Sequence, residues 1–232
     1  MSAMAGTLHG DASSPTLGLR ERKKQQTREL IATTARRLFT ERGFDRVPVA
    51  EIARAADVSE KTVFNYFPTK EDLVYWRLEA FEAELLQTIR DRAPGESVLA
   101  GFRRFLLAQR GLLGQHDPAA REELTALTRM ITESAALVRR EGEVMAGYTA
   151  ALAALIAEET GARPDDVRPR VAAHALMGVH RALIDYTRGR ILAGHAGARI
   201  GRDARAQAER ALALLEDGLG DYAVKRDRAA RR

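Results

Sequence analysis

The run Ser59-Glu60-Lys61-Thr62-Val63-Phe64-Asn65-Tyr66-Phe67 holds the side chains best suited to chemistry in this sequence. At helical spacing Val63 and Phe67 face inward, and Glu60, Lys61, Thr62, Asn65 and Tyr66 are left outside. That outer set offers one cation and several hydrogen-bonding groups. Lys61 is long and cationic and can reach a guanine edge or a phosphate. Thr62 and Asn65 can hydrogen-bond base edges or backbone, and the Tyr66 hydroxyl sits on a rigid arm that suits a phosphate oxygen. Lys70 stands where a further helix begins, and a cation beside exposed N–H groups forms a phosphate clamp. Lys23 and Lys24 make a basic arm upstream. Plain structural roles compete with these readings. Ser59 can serve as a helix cap alone, Tyr66 can simply pack its ring, and the lysines can be ordinary solvated charges.

Other chemistries find no footing. The chain has no cysteine, which removes thiolate metal sites, disulfides and thiol nucleophiles. His174 and His180 are six residues apart, about 120° from a shared helical face, so they make a poor metal pair. His116-Asp117 precedes a proline and reads as a loop. Glu122-Glu123 and Glu158-Glu159 are adjacent and so point to different faces. No phosphate-binding loop, dinucleotide glycine loop or nucleophile elbow is present. The expectation is a protein that is not an enzyme, with no metal and no cofactor.

Charge placement agrees with a nucleic-acid partner. The formal charge is +5 overall, and residues 20–70 carry 12 Lys/Arg against 7 Asp/Glu. The remainder is close to neutral apart from the terminal KRDRAARR. A basic head on a near-neutral body is the layout expected when one end meets phosphate, although a solvated charged face gives the same count. No apolar run approaches the roughly 20 residues a membrane span needs. Residues 1–18 are small and polar, unlike a signal peptide. A cytoplasmic protein without membrane contact is expected.

The elements that position these residues are helical throughout, so the expected fold class is all-α with about nine helices. A first helix over about Glu21–Arg42 carries Leu30, Ile31, Ala35, Leu38 and Phe39 on one face and stops at Gly43. Pro48 can start a second helix ending near Ala56. Asp57 tolerates the positive φ of a tight turn, and Ser59 caps the third helix. Thr69-Lys70-Glu71-Asp72 reads as a capping box for a fourth helix reaching Arg92. Further helices are expected over about 96–115, 119–134, 136–160, 165–193 and, after a glycine-rich loop at 194–201, 202–224. Two short helices joined by a tight turn, following a longer one, make a helix-turn-helix.

The stretch ERKKQQTRELIATTARRLFTERGFDRVPVAEIARAADVSEKTVFNYFPTKEDLV, residues 21–74, resembles the N-terminal domain of TetR-family bacterial transcriptional regulators. The likeness lies in the joint order of T-R, A-x-x-L-F, G-F, I-A-x-x-A-x-V-S, T-V-F-N-Y-F and K-E-D-L. It implies that the third helix enters the major groove of double-stranded operator DNA. DNA-contacting residues would then be Lys23, Lys24, Thr27, Arg28, Ser59, Glu60, Lys61, Thr62, Asn65, Tyr66 and Lys70. Two departures remove contacts common in the family. Pro48 stands where a hydroxyl residue often caps the second helix, and Phe64 stands where tyrosine is common.

The resemblance also implies a homodimer paired through the last two helices. Val171, Ala175, Leu176, Val179, Leu183 and Ile184 are offered by one, and Ala208, Ala211, Leu212 and Leu215 by the other. Ala172, Ala175 and Gly178 would allow close approach. It further implies an unidentified small-molecule effector among helices four to eight, with Trp76, Phe102, Phe105, Met130, Tyr148, His174 and Met177 as candidate liners. The expected domains are a tail at 1–19, a DNA-binding head at 20–68, a ligand-binding and dimerisation body at 69–224 and a basic tail at 225–232. The leading reading is a repressor released from a near-palindromic operator by its ligand. A regulator of the same fold with no small-molecule inducer, controlled by a protein partner, is the alternative, and a helical enzyme is a third.

Overall fold

In the computed structural model the described residues are 18–76, 78–108 and 118–225. Most of the expected N-terminal tail, the His116-Asp117 loop and residues 226–232 lie outside them. The described residues are helical, with α1 (Leu19–Arg42), α2 (Val49–Ala55), α3 (Glu60–Tyr66) and α4 (Asp72–Tyr75) forming the first part. There follow α5 (Leu78–Arg90), α6 (Val98–Ala108), α7 (Pro118–Glu133), α8 (Ala135–Thr160), α9 (Arg168–Leu192), α10 (Gly197–Ala213) and α11 (Glu216–Leu219).

Local chemistry explains the head. Ile31, Ala32, Ala35, Leu38 and Phe39 bury one face of the second half of α1. The first half, from Leu19 to Glu29, has no buried side chain and leaves the core. Gly43 ends the helix at φ +86° and ψ 147°, a region open to glycine, with its N–H on the Phe39 carbonyl. Pro48 sits just ahead of α2 in extended backbone, where its missing N–H costs nothing. Asp57 takes φ +53°, and the Val58 N–H closes back 3.0 Å onto the Ala53 carbonyl, as in a left-handed helix stop. The Ser59 Oγ accepts from the Thr62 N–H at 3.0 Å and caps α3. Thr69 and Asp72 exchange backbone-to-side-chain bonds of 3.0 and 3.3 Å, the reciprocal capping box expected there.

Two apolar cores result. The first joins Ile31, Phe39, Val47, Ile52, Val63 and Phe67 to Tyr75 and reaches Met130, Ile131 and Leu137 of α7 and α8. The second gathers Leu85, Ile89, Phe102, Phe105, Tyr148 and Leu152 with Leu176 and Leu212. This division accounts for a difference from the sequence expectation. The fourth helix, read as one piece from Thr69 to Arg92, is two. Leu73 and Tyr75 of α4 belong to the head core, whereas Leu85 and Ile89 of α5 belong to the body core.

The end of the chain also differs. The helix expected from Arg202 begins at Gly197, because Ile200 is buried and its burial outweighs the roughly 1 kcal/mol cost of each helical glycine. It stops at Ala213 rather than Val224, and the short α11 follows. The described residues therefore hold eleven helices instead of about nine. Lys225, read as the first residue of a free tail, is held in the fold. Its backbone pairs with Gly95 and Glu96 at 2.9 Å each, and its Nζ lies 3.0 Å from Glu159. Leu19, read as tail, starts α1.

Candidate nucleic-acid interface and effector cavity

On α3 the side chains of Glu60, Lys61 and Asn65 are exposed, Thr62 and Tyr66 are half-buried, and Val63 and Phe67 are buried. The structure thus brings the expected polar set to one surface. Ser59 and Thr62 are linked further by a 2.8 Å contact between their hydroxyl oxygens. Lys61 makes no ion pair with any described residue, and neither do Lys23, Arg46 and Arg54. Phe64, treated in the sequence only as a missing hydroxyl, is 47% exposed on this same surface. An outward aromatic edge suits the methyl group of thymine. Its position one residue before Asn65 and three after Lys61 was the signal for it.

The remaining expected contacts are more internal. The Thr27 Oγ donates to the Lys23 carbonyl at 3.0 Å within α1. Lys24 lies 3.7 Å from Glu21. The Arg28 guanidinium stands 5.5 Å from the Phe67 ring centre and so braces the end of α3. Lys70 is folded against the head: its Nζ donates to the Phe44 carbonyl at 2.7 Å and stands 4.4 Å from the Phe44 ring centre and 5.6 Å from that of Phe39. Burial lowers the Lys70 pKa, and Asp45 and Glu71 oppose that shift. Two of its three N–H donors remain for another partner.

In the body, a cavity of about 900 Å³ opens between α6, α7, α9 and α10. Its walls are aliphatic, with Leu106, Leu127, Ile131, Leu183, Ile184 and Ile191 prominent, and its polar lining includes Thr128, Thr187, His180, Arg188, Arg202 and Arg205. A cleft of this size with few polar groups is the usual form of a small-molecule site. None of the seven residues expected to line an effector site lines this cavity. Trp76 and Met130 pack with the head core, Phe102, Phe105, Tyr148 and Met177 fill the body core, and His174 is exposed. Aromatic bulk fills cores here, and the cavity walls are aliphatic. Phe105 and Tyr148 are one layer behind: both pack on Phe81, which stacks on His180 at 4.7 Å.

Behind the cavity lies a buried ion cluster that the sequence reading missed. Glu141 of α8 is 3% exposed and is held by Arg188 at 2.5 and 2.8 Å and by Arg181 at 3.2 Å. Burial pushes the His180 pKa down to about 4, against the pull of Glu141. Burial and Glu141 together raise that of Tyr75, whose hydroxyl donates to the Leu137 carbonyl at 3.0 Å. The signal was present in the sequence, since Glu141 falls four residues after Leu137 and seven before Tyr148, on the buried stripe of α8.

Comparison with known proteins agrees with this geometry. The model of bacterial regulatory proteins of the tetR family matches residues 31–75, and that of the MftR C-terminal domain matches residues 107–219. The chain belongs to the TetR family. It is 29% identical to the HTH-type transcriptional regulator TcmR of Streptomyces glaucescens over 72% of this chain and 75% of that one. Over 53 residues it is 51% identical to the HTH-type transcriptional regulator LuxR of Vibrio harveyi, 23% and 24% of the two chains. Native NalD of Pseudomonas aeruginosa, 22% identical, shares the fold with a TM-score of 0.51 over 84% of this chain and 98% of its own. This TetR-family chain is therefore a DNA-binding transcriptional regulator. Among its described residues no helix is long and apolar enough to cross a membrane.

The faces expected to pair two TetR-family protomers divide three ways. Ala172, Leu176, Val179, Ala208 and Leu212 are buried in their own subunit, Leu183 and Ile184 line the cavity, and Ala211 and Leu215 pack on the body core. Ala175 is half-buried. Val171, 61% exposed, and Gly178, with no atom within 4 Å of an added Cβ, lie on an open stripe of α9. Val167, Ala182, Gly189 and Leu192 continue that stripe.

Proposed function

We propose that this protein is a cytoplasmic repressor that binds a near-palindromic operator as a homodimer and is released by a small molecule held in the cavity. The observation that carries the reading is the position of α7. Leu127 and Ile131 of this one helix line the cavity while packing with the head core, and Glu123 pairs with Arg36 of α1 at 3.3 Å. A ligand that moves α7 therefore acts on the head directly. Residues 20–68 serve as the DNA-binding unit and 69–224 as the sensing and pairing unit.

On DNA, α3 lies in the major groove. Lys61, Phe64 and Asn65 meet base edges, Ser59, Glu60, Thr62 and Tyr66 border them, and Lys23, Lys24, Thr27, Arg28 and Lys70 face the backbone. Two copies pair through the α9 stripe, where glycines and alanine permit close approach of the mate. The test is selection of bound DNA from a random pool, with light scattering of the complex. Twofold-symmetric sites bound by two protomers are expected, and a monomer on asymmetric DNA would refute the reading.

A further inference from the structure

The cavity's lining has a one-sided charge. It holds three arginines and, among the described lining residues, no carboxylate. The three differ in how far they are committed. Arg205 is tied to Glu209 at 3.3 Å and to the Leu107 carbonyl at 3.3 Å. Arg202 makes no ion pair with any described residue. Arg188 is 17% exposed and spends its two terminal nitrogens on Glu141, which lies behind the cavity wall. The rest of the surface is mostly leucine, isoleucine and alanine, with Thr128, Thr187 and Gly201 among them and His180 as the one ring among the described lining residues. Burial keeps that imidazole neutral near pH 7, so it neither adds to nor cancels the arginine charge.

We infer that the cavity takes an amphipathic organic anion, with its aliphatic part among the leucines and its charged end between Arg202 and Arg188, where it competes with Glu141 for the Arg188 guanidinium. The inference rests on the cavity being the effector site. Aliphatic walls favour a flexible hydrocarbon over a planar ring that needs stacking partners. A cation there would meet only like charge. An anion gains charge-assisted bonds from the exposed Arg202, unpaired among the described residues, and from Arg188, whose guanidinium is already largely desolvated. Because Arg188 also holds Glu141, an anion that draws on it loosens the α8–α9 link at Glu141, and occupancy is felt outside the cavity.

Three probes of equal chain length separate the terms: decanoate, decanol and decyltrimethylammonium, titrated into the full-length protein by calorimetry without DNA. Decanoate should bind tightest and decyltrimethylammonium weakest, with Arg202→Met lowering decanoate affinity by about tenfold and leaving decanol unchanged. Arg188→Met alone strands Glu141 and can unfold the chain, so the paired variant Arg188→Met/Glu141→Gln is used. It should reduce decanoate affinity to that of decanol. Equal affinity for the three probes, no decanoate binding, or a preference that survives both variants overturns the inference. Operator affinity is measured separately. Arginine-dependent decanoate binding that leaves DNA affinity unchanged upholds the ligand chemistry and refutes the effector role of the site.

Discussion

The family resemblance implies DNA contact for both Lys61 and Lys70, yet their surroundings predict unequal costs in stability for the same substitution. Methionine keeps the length of a lysine stem and removes the charge. Lys70 donates to the Phe44 carbonyl at 2.7 Å and stands over two rings. A charge-assisted hydrogen bond contributes about 1.5–3 kcal/mol and a partly exposed cation–π contact about 0.5–1 kcal/mol. Desolvation of the ammonium, visible in its lowered pKa, offsets part of this, so Lys70→Met should cost about 2 kcal/mol. For a chain of this size that is a fall in Tm of about 4–8 °C. Lys61 is exposed and has no such partners, so Lys61→Met should stay within about 0.5 kcal/mol of the parent. Lys70→Met should also reduce the slope of log K against log salt by about 0.9 for the DNA phosphate left without its lysine, whereas Lys61→Met should change preference among operators more than the slope. Thermal unfolding, and anisotropy over a salt series at a fixed temperature, read the two effects apart. An unchanged Tm for Lys70→Met refutes the clasp on Phe44. A lowered Tm with an unchanged slope keeps the clasp and shows that Lys70 does not meet phosphate.

Packing and titration in the body give two further expectations, and the recognition surface a third. An ideal Cβ on Gly101 falls 2.5 Å from Cδ of Arg92, whose side chain is fully buried and bonded to Glu159 at 2.7 Å. Gly101→Ala should therefore cost about 3 kcal/mol, and a loss under about 1 kcal/mol in urea unfolding would count against that packing. His180 stays neutral in the fold down to about pH 4, while the unfolded chain takes up a proton near pH 6.5. Its contribution is thus full above that range and is lost as pH falls, by up to about 2 kcal/mol between pH 7 and 5; His180→Gln should flatten this part of the profile, and an equal slope in the variant would remove the assignment. Phe64→Ala should relax preference at a single T·A position by about 1–3 kcal/mol, read from binding to operators substituted at each base pair; a uniform loss across all operators would assign Phe64 to packing.

The head was legible in the sequence because its signals are local. Ser59 caps the helix it precedes, Asp57 adopts the positive φ its side chain tolerates, and Thr69 and Asp72 close a box three residues wide. The cavity was not legible, because it is made by elements distant in sequence. Leu183 and Ile184 have the spacing of an interface stripe and of a pocket wall alike, and only the approach of α6, α7 and α10 decides between them. Aromatic residues drew the ligand expectation toward Phe102, Phe105 and Tyr148, although large rings are what close-packed cores consume first. The split between α4 and α5 escaped for a related reason. Apolar periodicity continues through Trp76, and it does not record that the two halves bury their faces in different cores.

The proposed coupling between cavity and head has a physical limit, since a ligand could shift the spacing of two paired heads only by its differential affinity for the two arrangements. A change from 1:99 to 99:1 needs about 5.5 kcal/mol of that difference. The contacts that would carry it are few and can be named. Arg140 of α8 holds Asp72 of α4 at 2.9 Å, and Tyr75 of α4 holds the Leu137 carbonyl at 3.0 Å. Ser134, where α7 passes into α8, reaches Asp45 at 3.3 Å. Each joins the head to the same α7–α8 junction, and Glu141 lies on α8 four residues beyond Leu137. In the proposed complex an anion drawing on Arg188 would weaken the hold of α9 on α8 at that point, and a hydrocarbon part that pushed on Ile131 would press on the head core from the other side. The two disturbances meet at one junction, so neither has to supply the whole difference alone.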